Sequence, residues 1–329
     1  MDDSIFGEED RRGYWRPNKR ISYPPVFIWP PQLVGFLKWL PRYLFPWNIA
    51  YALLAILVWA YLTPSVERMK SFSPDWIGLV LLRNVSLTIL VVGAWHFWLY
   101  MRRAQDTAFK YNRKWPSKTS PAFLFKNQTR ENIFWTFASG VPIWTAWEVV
   151  SLWLYANGFI GGLTLSDNPV WFVGLLFLVP LLHEFHFFCI HRLLHWPPLY
   201  KTVHKLHHNN TNPGPWSGLS MHPVEHLIYF SGFLIYWIVP CHPLHMLNVG
   251  LIAGLSPAQG HTGFDKVVVG DKSGVDLPYY AHYLHHRYFE VNYADGTIPL
   301  DKWFGSFHDG SLEADEALKQ RRMKRSMRA

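Results

Sequence analysis

The sequence predicts an all-α membrane protein: about four transmembrane helices plus a helical hairpin, with a cytoplasmic-side, histidine-rich helical cap holding a dinuclear metal site. Three observations lead there. First, 50% of the 329 residues are hydrophobic, 17% are aromatic and only 16% are charged, whereas ordinary soluble domains carry roughly 25% charged residues. Second, several apolar runs approach the ~20 residues that cross a bilayer, and the 18 tryptophans suit its interfaces. Third, histidines cluster at helical spacing directly after an apolar run, in residues 183–208, and again near the C-terminus.

Residues 1–43 read as a polar N-terminus followed by an interfacial segment, with residues 1–22 loosely ordered. Prolines in residues 23–47 argue against one continuous spanning helix, and Trp29, Trp39 and Trp47 fit headgroup level. Residues 44–168 read as membrane anchor, with spans at 44–63, 76–100 and 132–160. Arg83 is expected to snorkel to the headgroups. Glu148 is either functional or paired with a neighbouring helix. The loop 101–131 carries Arg102, Arg103, Lys110, Arg113, Lys114, Lys118, Lys126 and Arg130 against Asp106 and Glu131. This is the strongest positive-inside signal in the chain.

Residues 169–308 form the histidine-bearing domain, opened by a fourth span at 169–190 that runs into His191. The apolar stretch 227–257 breaks at Pro240-Cys241-His242-Pro243 and reads as a helical hairpin or a re-entrant segment. Residues 309–329 are a basic C-terminal tail. With the loop 101–131 cytoplasmic, the N- and C-termini and every histidine box fall on the same side. The opening MDDSIFGEED is acidic where a secretory leader is basic, so none is expected. Cys189 and Cys241 lie in apolar context and make no disulfide framework or cysteine zinc motif.

His191 and His195 are spaced i, i+4, which points both imidazoles the same way on a helix. His204, His207 and His208 are spaced i, i+3, i+4, as are His282, His285 and His286. Imidazole is the commonest protein metal ligand. A mononuclear site takes about four ligands, so eight histidines suit two metals with four or five ligands each. Ligand type alone leaves zinc, copper, iron and nickel open. His183 and His186 read as helix-end residues or as supports for the ligands. His96, His242, His245 and His308 read as interfacial or loop histidines, and Arg192 as a headgroup contact.

HRLLH, then HKLHH eight residues later, then HYLHH, resembles the sterol desaturase / fatty acid hydroxylase superfamily of membrane histidine-box di-iron oxidases. His222-Pro223-Val224-Glu225 resembles its HPxE element, Gly260-His261-Thr262-Gly263 its later single-histidine element, and residues 292–307 the segment after its last box. The likeness covers roughly residues 170–308 and makes 169–308 a fatty acid hydroxylase-like catalytic domain. It implies metal roles for His191, His195, His204, His207, His208, His261, His282, His285 and His286, and less firmly for His222. Glu184, Glu225, His226 and Asp295, with Asp276, are candidates to orient those ligands from behind.

The resemblance further implies two non-haem irons, O2 as co-substrate, and hydroxylation or desaturation of an unactivated C–H bond of a lipid drawn from the bilayer. The lipid is sterol-like or of fatty-acyl type. Electrons would come from a separate cytochrome b5- or ferredoxin-like protein, and the setting would be a bacterial inner membrane or the endoplasmic reticulum. Nucleic acid is not an expected partner, because the basic residues flank apolar runs and are not striped on a soluble fold. A zinc-dependent membrane hydrolase is one rival, although no HExxH occurs. A metal transporter or store is another, although the histidines gather at one level and do not line several spans. The acyl-lipid desaturase fold uses similar boxes; the short gap between the first two boxes and the HPxE element favour the sterol-desaturase type.

Overall fold

Four helical passes build the body of the molecule in a computed structural model that describes residues 2–270 and 273–327. The first joins Leu33–Tyr43 to Ile49–Tyr61 across a kink at Phe45, whose φ of −105° and ψ of 144° are extended. Phe45 precedes Pro46, and the proline ring disfavours the α region for the residue before it. The second pass is Pro74–His96, prolonged to Met101. The third runs from Gln128–Trp135 through a wide turn into Val141–Ala156. The fourth is Pro169–Leu194. A helical hairpin follows, with Pro223–Tyr229 to Ile235–Ile238 as one arm and Pro243–Leu255 as the other.

Three of these passes are long and apolar enough to cross a membrane: Leu33–Tyr61, Pro74–Met101 and Pro169–Leu194. The first therefore begins earlier than residue 44. The expected span at 132–160 does not qualify by length and composition; it carries buried Asn132, Thr136 and Ser139 at its start and Glu148 further along. It nonetheless runs the length of the bundle. At one end Asn132 and Gln128 donate to Asn210 Oδ1 at 2.8 and 3.0 Å. At the other, Trp153 Nε1 and Asn157 Nδ2 each donate to the Lys70 carbonyl at 3.1 Å.

Every residue of Pro243–Leu255 is buried, and the helix packs against Ile49–Tyr61, Val141–Ala156 and Pro169–Leu194. An all-round apolar helix can be surrounded by protein as well as by lipid. Here protein surrounds it. Gly250 and Gly254 make room for Trp144, whose ring an added Cβ would meet at 2.9 and 2.6 Å.

Arg83 does not snorkel. It is buried between two helices, pairs with Glu148, and donates to Asn84 Oδ1 at 3.1 and 3.0 Å. Asn84 Nδ2 also donates to Glu148 Oε2 at 3.1 Å. Two opposite charges and an amide satisfy one another away from water, which settles Glu148 as a paired group.

The N-terminus is ordered, contrary to expectation. Gly7–Glu9 and Trp15–Pro17 form an antiparallel hairpin, and Trp15 is buried against Phe109 and Tyr111. A second hairpin, Lys266–Val269 with Ser273–Asp276, adds a little β-structure to the all-α expectation. The basic tail is a helix, Leu312–Ser326, fastened where Arg16, Tyr288 and His308 meet Asp315.

Candidate metal centre

Nine histidines converge at one end of the bundle in two groups. His191, His195, His204, His208 and His285 form the first; His207, His261, His282 and His286 form the second. Eight of the nine are buried and His195 is half-buried. The first box comes from the end of Pro169–Leu194, where His195 is the C-terminal cap. The second lies on the turn Tyr200–His204 and the short helix Lys205–His208, the third on Tyr280–Tyr288, and His261 just past Pro257–Gly260.

The groups are not the boxes. His207 leaves its neighbours for the second group, and His285 leaves its neighbours for the first. An α-helix turns about 100° per residue, so positions i and i+4 diverge by about 40° while i+3 and i+4 diverge by about 100°. His204 and His208 therefore aim at one point and His207 at another. The same holds for His282 and His286 against His285. The two groups abut, with the His208 and His286 ring centroids 4.9 Å apart.

The Nε2 atoms face one another at metal-site spacing. In the first group the His204–His208, His208–His285 and His195–His285 separations are 3.0, 3.1 and 3.2 Å. In the second, His261 Nε2 stands 3.0 Å from those of His282 and His286 and 3.3 Å from that of His207. Nitrogens ~2.1 Å from a shared ion lie ~3.0 Å apart at a right angle and ~3.4 Å apart at the tetrahedral angle.

Tautomers are fixed from behind. The Nδ1 atoms of His191, His207, His261 and His285 donate to the carbonyls of Tyr293, Ser220, Pro257 and Val291 at 2.9, 3.2, 2.7 and 2.7 Å. His204 Nδ1 donates to Glu225 Oε1 at 2.7 Å. With Nδ1 carrying the proton, the Nε2 lone pairs of His207 and His261 point at each other. Burial, then the neighbouring imidazoles, holds His204, His208, His282, His285 and His286 well below the usual imidazole range, so they are neutral. Neutral nitrogens facing one another across 3.3 Å repel unless a cation lies among them. The donor set therefore fits a pair of metal ions.

Other expected residues lie elsewhere. His222 is outside both groups and caps Pro223–Tyr229, its Nδ1 accepting from Val224 N at 3.2 Å. Of the carboxylates, only Glu225 meets a clustered imidazole among the described residues. Glu184 Oε1 instead accepts the backbone N–H groups of Gly296, Thr297 and Ile298 at 2.9, 2.8 and 3.0 Å. It thus anchors the segment whose Tyr293 carbonyl holds His191. His226 acts one step further back, with Nε2 3.2 Å from the Leu219 carbonyl, beside the Ser220 carbonyl that takes His207. Asp276 is exposed on a hairpin near Lys266, and Asp295 meets no histidine ligand.

His186 bonds Ser231 Oγ at 2.9 Å, and His245 bonds the Phe172 carbonyl at 2.8 Å in the core, not at an interface. His308 is likewise buried. Arg192 lies over Phe188, Tyr293 and Phe304. Asp301 accepts from Tyr293 N and Ala294 N, both at 2.8 Å. The carbonyl partners carry no side-chain signal, which is why residue types did not reveal them.

A cavity of about 370 Å³ runs from the centre towards the kink of the first pass. His191 and His204 of the first group, and His207, His261 and His282 of the second, face into it. Its wall includes Phe187, Ile190, Leu194, Met221 and Ile252, and its far end Trp39, Trp47 and Tyr51. Along Pro169–Leu194 it extends from His191 to Pro180, ~16 Å at 1.5 Å per residue. A storage protein has no need of such a space beside its metals.

The fold and site together define a mostly helical protein with three candidate membrane spans and two histidine clusters beside one cavity. A family model described as fatty acid hydroxylase matches residues 176–306. The chain is 30% identical over 281 residues to a Delta(7)-sterol 5(6)-desaturase of Aspergillus fumigatus, covering 75% of this chain and 83% of that one. It is 26% identical over 194 residues to the Delta(7)-sterol 5(6)-desaturase of Eremothecium gossypii, covering 54% of this chain and 52% of the relative. It is 32% identical over 148 residues to methylsterol monooxygenase 1 of Gallus gallus, covering 43% and 49%. These last two matches span about half the length of the relatives. No solved structure matches. The chain belongs to the sterol desaturase / fatty acid hydroxylase superfamily.

Proposed function

We propose that the protein is a membrane-bound, di-iron, O2-dependent oxidoreductase that hydroxylates or desaturates an unactivated C–H bond of a sterol-like or fatty-acyl-type lipid. The observation that carries this is the pair of histidine groups opening onto one apolar cavity. Relatives named as desaturases and a monooxygenase support redox chemistry over zinc hydrolysis. Iron bound there would supply oxygen activation and electron transfer.

The residues of the chain do the rest. His191, His195, His204, His208 and His285 would hold one ion, and His207, His261, His282 and His286 the other. The carbonyls of Tyr293, Ser220, Pro257 and Val291, with Glu225, keep each proton on Nδ1 and leave Nε2 to coordinate. Phe187, beside His191 at 4.7 Å between centroids, and the apolar wall exclude water from the lipid. Each turnover needs an electron pair and protons beside O2, and gives water with the alcohol or alkene. We assign the electrons to a separate cytochrome b5- or ferredoxin-like donor. The basic loop 101–131 lies at the histidine end, since Lys110 Nζ reaches Asn212 Oδ1 at 3.2 Å. With that loop cytoplasmic, the centre and both termini are cytoplasmic as well.

The test is elemental mass spectrometry of anaerobically purified protein, followed by O2 uptake and sterol product analysis. About two irons per chain and lipid-dependent O2 uptake are expected. Zinc that persists after iron-supplemented expression, with no O2 uptake, would overturn the reading. A reporter fused near Lys114 that reads out on the far side would overturn the topology.

A further inference from the structure

The cavity holds two polar groups that the metal centre does not use. His183 is only 6% exposed, lines the cavity, and neither ring nitrogen has a hydrogen-bond partner among the described residues. Asp295 also lines the cavity and has no hydrogen-bond or ion-pair partner among the described residues. Asp295 is exposed, and surrounding protein, then Asp301, raises its carboxyl to about 6. The ring of His183 lies 6.0 Å from that of Tyr229, and the Asp295 carboxyl is close enough to Tyr229 and Tyr279 to act on both electrostatically. Tyr229 is itself spoken for, since its hydroxyl donates to the Ala253 carbonyl at 3.0 Å.

The backbone sets where this pair stands. The Tyr293 carbonyl holds His191, and Gly296 N holds Glu184. The segment between them therefore runs alongside the helix from the level of His191 to that of Glu184, ~10 Å at 1.5 Å per residue. Asp295 and His183 lie at the far end of that run, away from the ligands.

We propose that Asp295 and His183 form a polar anchor for a hydroxyl group on the lipid in the cavity, so that the substrate is a neutral alcohol-bearing lipid and not a free acid. This rests on the reading of the cavity as a lipid site. A hydroxyl both donates and accepts: it donates a hydrogen bond to the Asp295 carboxylate and accepts one from an N–H of the His183 ring. A carboxylate or phosphate head would instead meet Asp295 as a like charge. The guanidinium among the lining residues, Arg42, is exposed on Leu33–Tyr43.

Binding of dehydroergosterol, a fluorescent hydroxysterol, to the full-length protein in detergent tests this, read as energy transfer from tryptophan. Cholesterol, 5-cholestene (the same skeleton without the hydroxyl) and oleic acid serve as competitors. In the wild type, cholesterol is expected to displace the probe at least tenfold more effectively than 5-cholestene or oleic acid. Asp295→Ala and His183→Leu should each weaken probe binding about tenfold, the range of a hydrogen bond to a charged or buried group. They should also bring cholesterol and 5-cholestene close together, which general loss of structure would not do selectively.

Equal competition by cholesterol and 5-cholestene, preference for oleic acid, or no probe binding by the wild type overturns the anchor. So does unchanged discrimination in both variants. The readout needs neither metal nor turnover. A protein without iron that still discriminates keeps the anchor and sinks the oxidase, while an iron-loaded protein without discrimination does the reverse.

Discussion

Replacing Glu225 by leucine should weaken one metal centre and spare the other. Glu225 is the carboxylate that holds a clustered imidazole, with Oε1 2.7 Å from His204 Nδ1 and both side chains 2% exposed. Leucine fills similar space but leaves the Nδ1–H without an acceptor in a dry site, a loss of ~1–3 kcal/mol. Outer partners of ligating histidines are typically worth about 10- to 100-fold in metal affinity, which agrees with that energy at ~1.4 kcal/mol per tenfold. Glutamine can still present a carbonyl oxygen, so Glu225→Gln should lose far less. The assay is iron per chain after dialysis against graded chelator. Glu225→Leu should release about one ion at chelator strengths that leave the wild type loaded. In a His204→Ala background the same change should add little, because Glu225 acts through His204. Wild-type retention by Glu225→Leu, or full additivity with His204→Ala, would refute the reasoning.

Other outcomes follow from the same geometry. His207→Ala leaves three histidines in the second group and His208→Ala four in the first, so His207→Ala should lose its ion at lower chelator strength; equal losses in elemental analysis would contradict the split. His222→Ala should keep full metal content and lose only a helix cap, ~1 kcal/mol by thermal unfolding. Arg83→Leu should cost ~3–5 kcal/mol by stranding buried Glu148, and Arg83→Leu/Glu148→Leu should recover most of it; a double variant as unstable as the single would count against the pair. Burial alone would raise the Asp315 carboxyl, but His308, Tyr288 and Arg16 outweigh it and hold it at about 2. A carboxyl lowered in the folded state stabilises above its unfolded value and loses that contribution as pH falls. Helix Leu312–Ser326 should therefore loosen between about pH 4 and 2, read by hydrogen exchange, and Asp315→Asn should remove this dependence.

The chain by itself determined the class of protein and most of the histidines that cluster. Low charge and long apolar runs specify helices that pack in apolar surroundings, because only internal hydrogen bonding satisfies the backbone there. Nine of the ten expected metal residues converge, because imidazoles at i and i+4 must share a face. Several features needed the tertiary structure. It divided His207 from His208, since a 100° divergence on one helix becomes two sites only when Tyr280–Tyr288 supplies facing imidazoles. It made His222 a cap, since a histidine before Pro223 is placed to satisfy a helix end as readily as to reach a metal. It buried Pro243–Leu255 in protein although its composition suits lipid equally, because hydropathy does not record which medium surrounds a helix. It also supplied the carbonyls of Tyr293, Ser220, Pro257 and Val291, which every residue type carries alike and only the path of the chain can aim.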